Sequence, residues 1–277
     1  MKQKEIGVLY IVATPIGNLE DITLRAIRIL EEVDLIAAED TRCTLKLLNH
    51  LNISKPMISY HRHNEKIRTE GLIKELKEGK NIAVVSDAGT PGICDPGETI
   101  IKKCIEENIK VIPIPGACAM ISALIVSGID TDEFKFLGFL PLNKKNRKNK
   151  LEEIQKSNKT IILYEAPHKL KNTLNDLNKI LENRKIVLAR EITKVHEEYI
   201  RGTVEDILKL VDSLKGEMIL IIEKNINNIE ENNFSNLTLE EHFNFYKNQG
   251  LEKKEIIKKI AKDRNVNKNE IYKFFIN

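Results

Sequence analysis

The chain of 277 residues carries 44 lysine and arginine side chains against 41 aspartate and glutamate side chains, a formal charge of +3. Its 42% hydrophobic and 31% charged residues supply enough apolar surface for cores, which excludes wholesale disorder. The near-neutral balance argues against a strongly basic nucleic-acid-binding protein. As a prior, the length predicts about two domains of ordinary size.

The cysteines and the apolar runs bear on where the protein works. The four cysteines are Cys43, Cys94, Cys104 and Cys118. They form no C-x-x-C pair and no signal-peptide pattern opens the chain, so we expect a reduced, cytoplasmic protein without a disulfide framework. No apolar run reaches the ~18 residues that a membrane-spanning helix needs, and no membrane contact is expected. His61 and His63 lack the partners of a metal site, so no metal is expected.

Short runs rich in β-branched residues alternate with stretches of helical period along most of the chain. This alternation predicts α/β layers with a largely parallel sheet. The predicted strands are Gly7–Ala13, Leu35–Ala38, Met57–Tyr60, Ile82–Ser86, Val111–Ile114, Phe134–Leu140, Thr160–Tyr164, Ile186–Ala189 and Met218–Glu223. A Pro-x-Pro-Gly turn after the fifth strand predicts a boundary between an N-terminal domain, 1–114, and a C-terminal domain, 115–224.

The last part of the chain has a different character. The Asn- and Glu-rich segment 224–233 indicates a linker. A capping box over Thr238–Glu241 then begins the first of three short helical patterns, and the tight turns between them indicate a helix-turn-helix-like unit. Residues 234–277 hold nine Lys/Arg and six Asp/Glu, an excess that equals the net charge of the whole chain. This tail is therefore a candidate contact for nucleic acid.

Three predicted strands end in loops of small and turn-forming residues. They are 13–18 (Ala-Thr-Pro-Ile-Gly-Asn), 86–97 (Ser-Asp-Ala-Gly-Thr-Pro-Gly-Ile-Cys-Asp-Pro-Gly) and 115–119 (Pro-Gly-Ala-Cys-Ala). Proteins of α/β class bind ligands at the carboxyl ends of their strands, where small residues let a ligand approach the backbone. Ordinary turns or tight helix packing would explain each loop alone. Three such loops at three strand ends are stronger evidence than any single one, and together they predict a small-molecule site. The dinucleotide and phosphate-loop glycine patterns are absent.

The second of these loops contains two aspartates with different interpretations. Asp95, followed by Pro96 and Glu98, fits the beginning of a helix and is interpreted as structural. Asp87 lies where the strand ends, and its carboxylate could bind a hydroxyl or ammonium group of a ligand or cap its own turn. In the third loop, Cys118 has no base nearby in sequence and is not interpreted as a nucleophile.

Charged clusters follow three further strands, at 38–42, 164–169 and 189–198. Such clusters are typical of active-site rims, although solvated loops have the same composition. The acid-free segment 143–150 is predicted to be a loop that could hold phosphate or simply face solvent. Its basic residues are Lys144, Lys145, Arg147, Lys148 and Lys150.

Together these loops resemble those of the tetrapyrrole methylase superfamily and, more narrowly, of the ribosomal RNA small subunit methyltransferase I family. The resemblance covers the chain from end to end, and Ser-Asp-Ala-Gly-Thr-Pro-Gly at 86–92 is highly specific. Corrin and porphyrinogen methylases carry Gly-x-Gly-Pro-Gly where this chain has Thr14–Asn18. They carry Gly-Asp-Pro where it has Asp87–Gly92. Both departures favour the RNA branch.

The resemblance implies two α/β domains with S-adenosylmethionine in the cleft between them, and a homodimer. It implies methyl transfer to the ribose 2′-hydroxyl of a cytidine in the decoding region of 16S rRNA, within the small ribosomal subunit. The implied cofactor contacts are Pro15, Ile16, Asp87, Gly89, Thr90, Ile93, Cys118, Ala119, Glu165 and Ile192. A tetrapyrrole or corrin C-methylase and a non-catalytic ribosome-binding factor are the alternative interpretations. The tail and the basic segment speak against the first, and the intact glycine loops against the second.

Methyl transfer to a ribose needs help from the protein, because a hydroxyl group is a weak nucleophile. Placement at strand ends makes Glu191 or Asp40 the candidate base and Lys194 or Arg190 the candidate nearby cation. The tail and the basic segment are predicted to contact the RNA phosphates.

Overall fold

The computed structural model describes residues 5–181, 183–225, 234, 237–248, 250–264 and 266–276. The helices are α1 (Leu24–Glu32), α2 (Thr41–His50), α3 (Glu65–Lys77), α4 (Glu98–Glu106), α5 (Ala119–Ile125), α6 (Lys144–Lys156), α7 (Pro167–Leu181), α8 (Val204–Leu208), α9 (Leu239–Asn248), α10 (Lys253–Asp263) and α11 (Lys268–Ile276). The strands are β1 (Leu9–Val12), β2 (Leu35–Ala38), β3 (Met57–Ser59), β4 (Ile82–Val85), β5 (Val111–Ile114), β6 (Phe134–Phe139), β7 (Thr160–Glu165), β8 (Ile186–Arg190), β9 (Glu198–Gly202) and β10 (Met218–Ile222). Most of the predicted linker, 226–233, lies outside the described residues.

The first sheet is parallel throughout, with strand order β3-β2-β4-β1-β5. Helices cover both faces: Leu72 and Ile100 pack on one face, Leu30 and Leu48 on the other. Burial on both faces is why its central strands are near-continuous apolar runs, which made them easy to predict. The five predicted strands of this half are confirmed, with ends that differ by no more than two residues.

The second sheet corrects the prediction of a largely parallel architecture. Its strand order is β6-β7-β10-β8-β9, and only the β6–β7 pair is parallel. Strand β10 has five buried residues and lies antiparallel between β7 and β8. From composition alone it cannot be distinguished from a central parallel strand. Strand β9 was not predicted, because the half-exposed edge sequence Glu-Tyr-Ile-Arg-Gly lacks an apolar run.

The two sheets are joined by a shared apolar cluster. Ile16, from the loop after β1, packs among Val187 and Ile219 of the second sheet and Leu124 of α5. The loop that follows the first strand of one sheet is therefore built into the core of the other. Strand β5, the last of the first sheet in chain order, ends at Ile114. The domain boundaries at 114 and 224 stay predictions.

The tail has an apolar core of its own. Its buried members lie between Phe234 and Ile271, and the predicted helices are α9, α10 and α11. The predicted capping box is confirmed: the Thr238 backbone N–H donates to Glu241 Oε2 (2.8 Å), and the Glu241 N–H donates to Thr238 Oγ1 (3.2 Å). The buried His242 ring stacks on Phe234 with 3.7 Å between centroids. A core of this kind indicates a packed unit rather than a set of isolated helices.

Candidate active site

A cavity of about 430 Å³ lies where the two sheets meet. Its size falls within the range of roughly 300–1,000 Å³ that is typical of small-molecule sites. Both sheets contribute to the lining. The lining residues are Ile16, Glu39, Asp87, Ala88, Gly89, Thr90, Ile93, Cys94, Asp95, Cys118, Ala119, Phe139, Tyr164, Glu165, Ala166, Pro167, Ile192, Glu217, Met218 and Ile219.

Hydrogen bonds connect the three glycine-bearing loops of the first sheet. Thr14 N–H donates to the Gly89 carbonyl (2.9 Å) and Gly89 N–H donates back to the Thr14 carbonyl (3.0 Å). The Thr90 hydroxyl donates to the Ala117 carbonyl (3.1 Å) and so joins the second loop to the third. The loops therefore hold one another in place before any ligand arrives, which lowers the cost of ordering on binding.

Two glycines in these loops are required by close approach. Gly89 has φ +81°, and an added Cβ would lie 3.3 Å from Ile16 Cγ2. A Cβ on Gly116 would lie 2.9 Å from the Cβ of Ala13. A left-handed backbone and such short separations exclude larger side chains. The glycines thus allow three loops to converge on one small volume.

The second sheet contributes one segment that strand-end reasoning missed. Because β10 is antiparallel to its neighbours, Met218 lies opposite both Glu165 at the end of β7 and Arg190 at the end of β8. The amino end of β10 consequently lies at the carboxyl ends of β7 and β8. Residues 217–219 line the cavity for this reason. Only the strand direction could have revealed them.

The cavity is lined by acids. Five carboxyl groups line it, and lysine, arginine and histidine are absent from its described lining. The five residues are Glu39, Asp87, Asp95, Glu165 and Glu217. Glu165 is buried, and its carboxylate accepts hydrogen bonds from the Ala166 N–H (2.8 Å) and from the Thr173 hydroxyl. The electrostatics therefore favour a ligand with net positive charge.

Asp95 is not the helix cap that the sequence suggested. Helix α4 begins at Glu98 behind Gly97, whose φ of +142° belongs to a glycine. Asp95 instead lines the cavity, and within the described chain no hydrogen bond satisfies its carboxylate. Burial, reinforced by the charge of Glu39, raises the pKa of Asp95 to about 6. A half-buried carboxylate with this pKa is suited to accept a proton at neutral pH.

The other acids of the first sheet bind one another's backbones. Asp87 Oδ1 accepts the Asp40 N–H (3.0 Å), and Glu39 Oε2 accepts the Asp87 N–H (3.3 Å). These bonds join the loops after β2 and β4. Burial is the main cause that raises the pKa of both Glu39 and Asp87. Asp87 therefore has a structural role in addition to its place in the cavity wall.

Asp40, one of the two candidate bases, does not line the cavity. It is the N-cap of α2, where its Oδ1 accepts the Arg42 N–H (2.8 Å). The Arg42 guanidinium binds the same carboxylate, with Nη2 2.6 Å from Oδ2. This hydrogen bonding lowers the pKa of Asp40 to about 2. A carboxylate so strongly stabilised is a poor proton acceptor.

The other three predicted catalytic residues also lie outside the cavity lining. Lys194 Nζ lies 3.0 Å from Glu191 Oε1 and 3.1 Å from Glu217 Oε2, and Glu191 also accepts the Glu217 N–H (3.1 Å). Arg190 Nε pairs with Glu198 at 2.6 Å. The hydrogen bond from Lys194 lowers the pKa of Glu191. Their assignment as base and cation stays a prediction, while Asp95, which lines the cavity, has the better position for a base.

Glu191 and Lys194 instead surround a strained turn. Glu191 has φ +51° and Thr193 φ +66°, left-handed values that are costly for residues other than glycine. Between them Ile192 lines the cavity. The carboxylate of Glu191, bound to Lys194 and to the backbone beside Gly216, stabilises this turn. The turn thus presents Ile192 to the cavity.

Nine of the ten predicted cofactor residues line the cavity, and Pro15 is the exception. Their contacts with a cofactor stay predictions. Among the lining residues, Glu39, Cys94 and Asp95 lie in segments that the sequence singled out, without being named as cofactor contacts. Phe139 carries no sequence signal, because an aromatic residue at the end of an apolar strand looks like core.

The basic segment 143–150 is a helix, which corrects the predicted loop. Asn143 caps α6, and lysine and arginine favour helix once a cap is present. Arg147 packs on α7, with Nε 2.8 Å from Asp176 Oδ2. Lys150 pairs with Glu153 (2.8 Å) and Lys148 weakly with Glu152 (3.9 Å). Lys144 and Lys145 are exposed and form no ion pair with the described residues. The RNA contacts stay predictions.

Two features are absent from the described residues. No group of three or more His, Cys, Asp and Glu side chains there is arranged to hold a metal ion. Within the same ranges, each helix is too short or too polar to cross a membrane.

Comparison with known proteins assigns the chain to a family. The model of the Tetrapyrrole (Corrin/Porphyrin) Methylases matches residues 8–208. "Ribosomal RNA small subunit methyltransferase I" of Halalkalibacterium halodurans is 49% identical over 97% of this chain and 94% of its own length. The protein of the same name from Bacillus subtilis is 48% identical over 98% and 94%. The solved structure of diphthine synthase has a TM-score of 0.63 at 14% identity, over 81% of this chain and 94% of its own, which shows the shared fold.

Proposed function

Since the chain belongs to the tetrapyrrole methylase family and, within it, to the ribosomal RNA small subunit methyltransferase I family, we propose that it methylates ribosomal RNA. The proposed reaction transfers a methyl group to the ribose 2′-hydroxyl of a cytidine in the decoding region of 16S rRNA. The proposed substrate is the small ribosomal subunit, in the cytoplasm, and the proposed methyl donor is S-adenosylmethionine.

The acid-lined cavity is the observation that carries this proposal. S-adenosylmethionine has a sulfonium and an ammonium group against a single carboxylate, so its net charge is positive. A wall of five carboxyl groups without a cationic side chain complements that charge. The charge of the site therefore supports S-adenosylmethionine as its ligand.

The residues that would hold the donor divide by chemistry. Gly89 and Ala119 leave space beside the backbone, and Ile16 and Ile192 supply apolar surface. Glu165 and Glu217 also line the cavity and supply negative charge of the kind that an ammonium group requires. When bound, S-adenosylmethionine supplies a methyl group activated by the positive charge on its sulfur.

Asp95 is the proposed general base. It lines the cavity, its carboxylate has no hydrogen-bond partner within the described chain, and its pKa of about 6 leaves it ionised at neutral pH. It would accept the proton of the ribose 2′-hydroxyl as the oxygen attacks the methyl carbon. The Arg62 guanidinium donates to the Cys94 carbonyl and so fixes the neighbouring backbone. The rigid surroundings keep the carboxylate in position for in-line transfer.

Two basic surfaces are the proposed contacts for RNA phosphates. One is the first turn of α6, where Lys144 and Lys145 are exposed at the positive end of the helix dipole. The other is the solvent face of α10 in the tail. Its exposed lysines are Lys253, Lys254, Lys258, Lys259 and Lys262.

A second copy of the chain is the proposed partner in a homodimer. Helix α5 leaves Ile121 and Ile125 exposed one turn apart, and Val126 follows them. Adjacent exposed apolar residues favour a protein contact. Light scattering should give the mass of two chains for the parent and of one for an Ile125→Glu variant. A monomeric parent would contradict the homodimer.

Transfer of a radiolabelled methyl group to isolated small subunits tests the function. Subunits that lack the modification are incubated with the protein and labelled S-adenosylmethionine, and the labelled nucleotide is mapped. We expect label on the ribose of one cytidine in the decoding region. Free 16S rRNA and a porphyrinogen serve as competing substrates. Label on a base, or on the porphyrinogen alone, would contradict the proposal.

Calorimetry separates catalysis from passive binding. A methyltransferase should bind S-adenosylmethionine or its demethylated product in a single site per chain. The non-catalytic alternative predicts binding to small subunits without binding of the donor. Titration of the parent with the donor, in the absence of RNA, decides between the two.

Removal of residues 234–277 tests the tail. Because this segment has its own core and carries the excess of positive charge, its loss should leave donor binding intact. Binding of rRNA should weaken and depend less on salt, since each lost phosphate contact lowers the slope of log K against log salt by about 0.9. Equal affinity and an equal slope would show that the tail is not an RNA contact.

A further inference from the structure

Phe139 is the large aromatic side chain at the mouth of the cavity. It is the last residue of β6, lines the cavity and is 54% exposed. Packing alone gives no reason for this exposure, since a buried phenylalanine stabilises a fold far more than a half-exposed one. Phe139 and the proposed base line the same cavity, so the exposed ring is available to contact a ligand there.

The ring is held in place by the local structure. It makes an edge-to-face contact with Tyr164, with centroids 5.7 Å apart and planes at 64°, and Tyr164 makes a similar contact with Phe136 (4.8 Å). The pairing of β6 with β7 shifts register between Phe136 and Phe139, and Gly138 has φ +62°. A bulge of this kind turns a side chain away from its regular direction. The edge-to-face contact with Tyr164 leaves at least one face of the Phe139 ring not covered by Tyr164.

The loop 86–97, which contains Asp95, lies against this bulge. A Cβ on Gly138 would lie 3.2 Å from Cys94 Sγ, so the backbone of β6 touches the residue that precedes Asp95. Burial is the main cause that raises the pKa of Tyr164, and the nearby Asp95 carboxylate adds to it. The aromatic surface and the proposed base thus share one side of the cavity.

Positive charge follows within a short length of chain. Lys144 is five residues after Phe139, a distance of at most about 18 Å along an extended chain. Lys144 and Lys145 are exposed in the first turn of α6, where lysine opposes the helix dipole, so they do not serve helix stability. A polyanion bound along α6 would pass close to the ring of Phe139.

We propose that Phe139 is a stacking platform for an unpaired nucleobase of the RNA substrate. The inference rests on the proposed function and names how that substrate is oriented. The proposed general base lies in a cavity, and a nucleotide that leaves the stack of the RNA can bring its ribose to that cavity. Aromatic side chains commonly receive such unstacked nucleobases. Stacking on Phe139 would place the attached ribose at the mouth of the cavity, on the side of Asp95.

A single-tryptophan variant tests the contact directly, because the chain contains no tryptophan. In a Phe139→Trp variant, a stacked base should quench the indole fluorescence. We expect quenching when a single-stranded oligonucleotide of the decoding region is added to protein saturated with S-adenosylhomocysteine. Little change should accompany S-adenosylhomocysteine alone.

The matched control is a Phe134→Trp variant. Phe134 begins the same strand, is 39% exposed and does not line the cavity. Its fluorescence should not respond to the oligonucleotide. Full quenching of the Phe139→Trp variant by S-adenosylhomocysteine alone would assign the ring to the adenine of the donor and overturn the proposal. Equal quenching in both variants would overturn it as well.

Kinetics supply the second readout. A Phe139→Leu variant keeps an apolar side chain of similar volume without a ring. We expect its KM for small subunits to rise about 10- to 100-fold, the range of one lost base–aromatic stack. Its affinity for S-adenosylmethionine should change far less than KM for small subunits, and Phe139→Tyr should restore KM.

The outcomes separate this inference from the function beneath it. If the parent methylates small subunits but Phe139→Leu has the parental KM, the platform is wrong and the function stands. If the parent methylates no RNA, the proposed function fails. In that case the fluorescence of the Phe139→Trp variant still decides whether RNA lies on the ring.

Discussion

The two sheets supply the same cavity by different geometry. In the parallel sheet the carboxyl ends of all strands meet at one edge, and the loops after β1, β2, β4 and β5 arrive there together. In the mixed sheet, β6, β7 and β8 end at the cavity, but β10 begins there, because it runs antiparallel between β7 and β8.

This difference has chemical consequences. The parallel sheet contributes glycines and three of the five carboxyl groups, including Asp95, on loops that bind one another. The mixed sheet contributes the aromatic residues Phe139 and Tyr164 and the strained turn that carries Ile192. We infer that proton transfer belongs to the first sheet, and that the second orients the ligands.

The largest expected effect comes from removing the proposed base. An Asp95→Asn variant keeps the shape of the side chain but cannot accept a proton, so kcat should fall about 10²- to 10⁴-fold. Affinity for S-adenosylmethionine, measured by calorimetry, should change little. A folded variant with parental kcat would show that Asp95 is not the general base.

The second expected effect is a dependence on pH. The pKa of Asp95 is raised to about 6, so the carboxyl group holds its proton below that pH and cannot accept another. In the parent, kcat/KM should therefore fall about tenfold per pH unit below pH ~6 and level off above it. The residual activity of Asp95→Asn should lack this step. A parental profile that is flat from pH 5 to 7 would contradict the assignment.

A substitution in the second sheet should mainly affect stability. Gly216 has φ +90°, and an added Cβ would lie 2.1 Å from Glu191 Oε1. Gly216→Ala combines backbone strain with a clash and should destabilise by about 3 kcal/mol. Gly128 has φ +76° with open space around it, so Gly128→Ala should cost only about 1 kcal/mol of strain. Urea denaturation of both variants measures the difference, and equal losses would mean that the Glu191 turn can shift.

The smallest effect is expected at Glu191. Glu191→Gln keeps the hydrogen-bonding shape and removes the charge that pairs with Lys194. Partly exposed ion pairs contribute about 0.2–1 kcal/mol, so the loss of stability should be of that size. Because Glu191 does not line the cavity, kcat should stay within about fivefold of the parent. A loss of kcat as large as that of Asp95→Asn would indicate that Glu191 is the general base.

The sequence by itself determined the strands of the first sheet, the glycine-bearing loops and the tail. Each depends on local chemistry: burial on both faces produces apolar runs, glycine marks close approach at Gly89, and Thr238 with Glu241 forms a capping box. The loops together, with the specific motif at 86–92, also carried the family resemblance, which near-full-length relatives then confirmed.

The tertiary structure alone decided how the site is assembled. Strand direction is a property of pairing between distant segments, so residues 217–219 could not be placed from sequence. Asp95 has the local pattern of a helix start, and only its burial in the cavity separates it from one. Phe139 looks like core until its exposure is seen. Burial and direction arise from packing between the sheets, and a local pattern of residues does not encode them.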